Sequence, residues 1–135
     1  MASQRQPKLS RREARDLDIE IGFLEGLTQR DPSYVEALQL LGDHYTLRGR
    51  PKDSLTVDQR LLSLRPEDPH VRFNLACSLA LSGELERACD ELLHALDLGF
   101  RDFRALQRDA DLVEVRKHPS YKKIREKVKL LKETS

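Results

Sequence analysis

One interval dominates this chain. Pro32, Pro66 and Phe100 lie 34 residues apart, and so do Gly49 and Gly83, Leu41 and Leu75, and Leu64 and Leu98. A fixed period of this size marks supersecondary units that stack, each covering an apolar face its neighbour cannot bury alone. Charged residues make up 35% of the sequence and aromatics 5%, with no Trp, a balance suited to helices rather than to a sheet. The expected class is all-α.

The punctuation inside each period predicts helix pairs. Ser33 and Glu36 have capping-box spacing, and Val35, Leu38, Leu41 and Tyr45 recur at helical intervals up to Gly49, a residue able to end a helix in the left-handed conformation. Pro51 suits a first turn, and Val57, Leu61 and Leu64 carry the next helix to Pro66. The second copy repeats the scheme. Asp68 caps, Pro69 enters the first turn, Val71, Leu75 and Leu79 run to Gly83, and Leu85, Ala88, Leu92, Ala95 and Leu96 run to Gly99. Two hairpins, 33–66 and 67–100, follow.

The residue choices within the period are similar to those of the tetratricopeptide-repeat family. The family's recurring positions fall on Leu38, Leu41-Gly42, Tyr45, Gly49, Ser54, Asp58, Leu61 and Pro66 in the first copy. In the second they fall on Arg72, Leu75-Ala76, Leu79, Gly83, Ala88, Leu92, Ala95 and Phe100. The resemblance implies a right-handed solenoid of helical hairpins with N- and C-terminal capping helices. Gly42 and Ala76 fall where paired helices cross, opposite Ser54 and Ala88, so that larger side chains would separate them. Three positions depart from the pattern: Asp58, Arg72 and Phe100. A lone carboxylate is expected to be half exposed at position 58, the alternative being an ion pair with Arg72.

The flanks read as caps. Ser10 and Glu13 make a second capping box ahead of Leu17, Ile21, Leu24 and Leu27, predicting an N-terminal helix over 10–31 after a flexible tail, 1–9. Downstream, residues 101–133 resemble the segment that follows many bacterial repeat arrays. Asp109 or Asp111 is expected to cap a short helix, Pro119 to begin the last one, and Tyr121, Ile124, Val128 and Leu131 to give it an apolar stripe. A length of 135 residues then predicts one domain, 10–133, around one core.

No catalytic arrangement emerges. His44, His70, His94 and His118 lack metal-ligand spacing, and Cys77 and Cys89 read as buried thiols on helices, so neither metal nor cofactor is expected and the chain reads as a non-enzyme. There is no phosphate-cradling glycine loop. The N-terminal residues lack the apolar segment of a secretory signal and no apolar run approaches bilayer length, from which a cytoplasmic location is expected. The net charge of +1 is split unevenly: +4 over residues 1–15, −9 over 16–115 and +7 over 116–132, with Glu133 supplying the remaining −1.

The family resemblance implies a concave groove lined by the first helix of each hairpin, where a peptide or partner helix lies. Here those positions are Glu36, Gln39, Leu40, Asp43, Thr46 and Leu47, then His70, Phe73, Asn74, Cys77 and Leu81. Asn74 matches an asparagine that groove-binding relatives use to fix a peptide backbone. The cations of the chaperone-binding carboxylate clamp are missing, and Gln39 and Asp43 stand in two of its places. Acid beside apolar surface predicts a basic or amphipathic segment of another protein as the occupant. The competing expectation is that the chain's own flanking helices cover Phe73, Cys77 and Leu81. A rival function is anionic-ligand binding, to nucleic acid or a membrane surface, through Lys122, Lys123, Arg125, Lys127 and Lys129 of the last helix. Self-association, basic end to acidic body, is a third outcome.

Overall fold

The computed structural model describes residues 8–134; residues 1–7, most of the expected tail, lie outside the described residues. Among the described residues the regular structure is helical, with no strand. In chain order the α-helices are α1 (Arg11–Arg30), α2 (Val35–Leu47), α3 (Pro51–Leu64), α4 (Pro69–Leu81), α5 (Leu85–Asp97), α6 (Phe103–Arg108), α7 (Val113–Lys117) and α8 (Tyr121–Thr134). A 3-10 turn, Ala110–Leu112, separates α6 from α7. The closest packing is α2 on α3 and α4 on α5, with α3 against α4 joining the two hairpins.

The turns explain why the period survives. Gly49 (φ 78°) and Gly83 (φ 82°) both take the left-handed conformation. Behind each, the N–H three residues past the helix reaches back to a carbonyl: Arg50 to Tyr45 at 2.8 Å and Glu84 to Leu79 at 2.9 Å. These bonds satisfy carbonyls left over at the helix end. α1 starts as its sequence predicts, with Ser10 Oγ accepting from the Glu13 N–H at 3.1 Å and Glu13 Oε1 accepting from the Ser10 N–H at 3.0 Å. The expected box at Ser33 and Glu36 does not form. Asp31 captures the Ser33 N–H at 3.3 Å and its hydroxyl at 3.4 Å, and α2 begins later, behind Tyr34 with no side-chain cap.

The helices cross where small residues permit it. A Cβ at Gly42 would lie 3.2 Å from Asp58 Oδ1 and 3.6 Å from Val57 Cγ1, so α2 and α3 approach too closely for a larger residue. Ala76 and Ala88 do the same work between α4 and α5, each fully buried.

Two apolar clusters form in place of the single core that length suggested. One gathers α1–α3 with Val71; the other runs from α4 through α8, and Leu62 borders both. This follows from stacking, since each hairpin buries only its neighbours' faces. Completely covered leucines such as Leu75, Leu79, Leu92 and Leu96 each contribute about 1.5–3 kcal/mol.

The C-terminal segment closes the array by folding back on it. α7 and α8 pack on α5, and the 3-10 turn packs on α4. Asp102 caps α6 through the Ala105 N–H, and Asp109 caps the 3-10 turn through the Asp111 N–H. Pro119 sits in the turn before α8 rather than in its first turn, which Tyr121 opens. Tyr121 Oη donates to the Leu106 carbonyl at 3.1 Å, tying α8 to α6.

Candidate functional site

α2 presents Glu36, Leu40, Asp43 and Leu47 to solvent, with Gln39 and Thr46 half-buried beside them. On α4, His70 and Asn74 are exposed and Leu81 is half-buried, but Phe73 and Cys77 are nearly covered. The cover is the chain's own. The Phe100 ring stacks on Phe73 with centroids 4.4 Å apart and meets His70 edge-on at 5.6 Å. Phe100, standing where the repeat pattern has proline, thus anchors the residue expected to line the groove.

What stays open is a pocket of about 320 Å³ between α2, α3, α4 and the 3-10 turn. Asp43, Thr46, Leu47, Phe73, Asn74 and Cys77 are in its lining, whereas Glu36, Gln39, His70 and Leu81 lie outside it. Asp58, Asp109 and Asp111 line it as well, which sequence reasoning missed. Among the described residues no lysine or arginine does. The two missed C-terminal aspartates were visible as an Asp-x-Asp cap, but only the fold-back of residues 101–112 brings them to the pocket wall.

Asp58 overturns both expectations for it. It is buried, and its partner is the Ser78 hydroxyl, not Arg72. Arg72 binds Glu91 instead, Nη1 to Oε1 at 2.8 Å, and donates from Nη2 to the Pro66 carbonyl at 3.2 Å. Hydroxyls line up behind the carboxylate: Thr46 Oγ1 lies 3.0 Å from Ser54 Oγ, which lies 2.9 Å from Ser78 Oγ, which donates to Asp58. Burial pushes the Asp58 carboxyl up to about 7, against the pull of the Ser78 hydrogen bond and with a push from the Asp43 charge. Asp43 itself is raised by burial and drawn partly back by His44. Carboxylates gathered in one concavity raise each other's cost of ionisation, and an arriving cation relieves it.

The thiols point away from chemistry. Burial pushes Cys77 well up and Cys89 to about 11, the opposite of what a nucleophilic cysteine needs. Donor atoms of Cys77, Asp109 and Asp111 come within 4.8 Å of one another. A thiol held protonated must lose that proton before it can ligate, and Asp109 Oδ1 already accepts from the Asp111 N–H at 2.9 Å. Among the described residues no helix is long and apolar enough to cross a membrane.

At the other end, Lys127 is tied to Asp97, while Lys122, Lys123, Arg125 and Lys129 are exposed. A second hollow of about 370 Å³ has Leu106, Tyr121 and Val128 in its lining together with Arg116, Arg125, Lys129 and Lys132.

Consecutive antiparallel hairpins in a 34-residue register, small residues at the crossings and capping helices at both ends define a helical-hairpin solenoid. No protein-family profile matches the chain. Over 77 residues, 57% of its length, it is 38% identical to the TPR repeat-containing thioredoxin TTL4 of Arabidopsis thaliana. Over 84 residues, 62% of its length, it is 32% identical to the PEX5-related protein of Homo sapiens. The matched parts are 11% and 13% of those proteins, so the chain spans a small fraction of either relative. Over these stretches the chain is similar to tetratricopeptide-repeat proteins, and its fold is a TPR-like helical solenoid.

Proposed function

We propose that this chain is a non-catalytic interaction module that holds a basic, amphipathic segment of another protein on its concave side. The observation that carries the reading is the pocket where Asp43, Asp58, Asp109 and Asp111 converge with no lysine or arginine among the described residues of the lining. Leu40 and Leu47 flank Asp43 on α2, each 47% exposed, and supply apolar contacts for a helix face laid along α2. A lysine or arginine side chain of that helix enters the pocket, and Asn74 hydrogen-bonds beside it. The repeat class of the relatives supports protein binding in general, and the acids specify its chemistry.

Calorimetric titration with a lysine–leucine amphipathic helical peptide tests this, against the glutamate–leucine peptide of the same pattern. The lysine peptide binds and the glutamate peptide does not. Asp43→Lys abolishes binding with helicity unchanged. Equal binding of both peptides, or an indifferent Asp43→Lys variant, sinks the proposal.

The cations around the hollow beside α8 favour a second reading, an anionic ligand taken by Arg125, Lys129 and their neighbours. Salt-dependent retention on heparin, lost in Arg125→Glu/Lys129→Glu, supports it, and no retention removes it.

A further inference from the structure

The solvent side of α1 carries a feature that its own packing does not explain. Leu17, Ile21, Leu24 and Thr28 bury the inner face. On the opposite face Ile19 is 69% and Phe23 64% exposed, one helical turn apart. Gly22 and Gly26 lie alongside them, and a Cβ at either would meet nothing within 4 Å. A glycine inside a helix weakens it, so two glycines where a Cβ would have free space are a cost that no close helix crossing within the chain requires.

Phe23 lies 34 residues before Val57, and Val57 on α3 is buried in the cluster formed with α2. Ile19, Gly22 and Gly26 lie 34 residues before Asp53, Thr56 and Arg60, which are exposed on α3, so only Phe23 of this face corresponds to a position that the array buries.

We infer that this face pairs with the same face of a second copy of this chain, α1 lying antiparallel to α1 about a two-fold axis through Phe23. Charge selects both occupant and register. Centred on Phe23, the pairing sets exposed Asp16 of each copy opposite Arg30 of the other, two ion pairs for one symmetric contact. Slid so that Ile19 meets the second copy's Phe23, it would set Arg12 against Arg30, which repel. The glycines let the helices approach at a shallow angle, and Ile19 and Phe23 fill the hollows the glycines leave. This face is opposite the side of α1 that meets α2, and the inference stands without the groove reading.

Sedimentation equilibrium of the full chain tests it. The chain is dimeric at about 0.1 mM, and Phe23→Glu raises the dissociation constant by about thirtyfold or more with unchanged far-UV circular dichroism. Gly26→Leu, which meets no intramolecular clash, also dissociates the dimer. Asp16→Arg weakens association and Asp16→Arg/Arg30→Asp restores it. A monomeric chain, a dimer indifferent to Phe23→Glu and Gly26→Leu, or a double charge swap that fails to restore pairing each overturns the inference.

Discussion

Replacing Asp58 by asparagine probes the buried polar line directly. In the folded chain this carboxyl is raised from an ordinary 3.8 to about 7, chiefly by burial. Between those values the folded state holds a proton that the unfolded state has released, so rising pH withdraws stability throughout the window and the loss levels off above it. The full difference is worth ~4 kcal/mol, a large fraction of the stability of a chain this size. Asp58→Asn keeps the shape and a polar contact to Ser78 but cannot ionise. Urea unfolding followed by circular dichroism, at a series of pH values, isolates the effect as the difference between the two proteins. Asp58→Asn gains about 2–3 kcal/mol relative to the natural chain between about pH 5 and about pH 8. Parallel pH profiles would refute the reasoning, because they would mean that Asp58 titrates alike in the folded and unfolded chains.

Other perturbations test separate links. Gly42→Leu forces a side chain against Asp58 and Val57 at the α2–α3 crossing and costs about 1–3 kcal/mol in urea melts. Ser10→Ala removes the capping box of α1 and costs about 1 kcal/mol. Phe73→Ala empties the stack on Phe100 and lowers stability by about 3 kcal/mol, so any loss of binding in that variant must be read against its thermal midpoint. Glu91→Gln leaves the Arg72 guanidinium partly buried with a weaker acceptor and destabilises the second hairpin by about 1 kcal/mol.

The array was readable from the sequence because its rules are local. Gly49 and Gly83 stop helices by backbone conformation alone, Ser10 and Glu13 cap across one turn, and the interval between copies exposes the stacking. Where local rules competed, reading failed. Ser33 had two bonding choices, and Asp31 took it, moving the start of α2. Asp58 looked exposed because lone carboxylates are, and its burial depends on Ser78 of the next repeat. Asp109 and Asp111 were recognisable as a capping pair, but their arrival at the pocket needed the reversal of the chain after Phe100, a long-range event with no period behind it. The exposed face of α2 could be placed by repeat register; the covering of Phe73 by Phe100 could not, since it arises at the one position where the second copy abandons proline.

The proposed binding site stands or falls on where a cationic helix lands. Amide chemical-shift mapping with the lysine–leucine peptide answers this residue by residue. The account predicts perturbations along α2 between Leu40 and Leu47, at Asn74, and over Asp109 to Asp111, fading as salt rises. Shifts confined to α8 or to the outer face of α1, with the α2 amides unmoved, would contradict it.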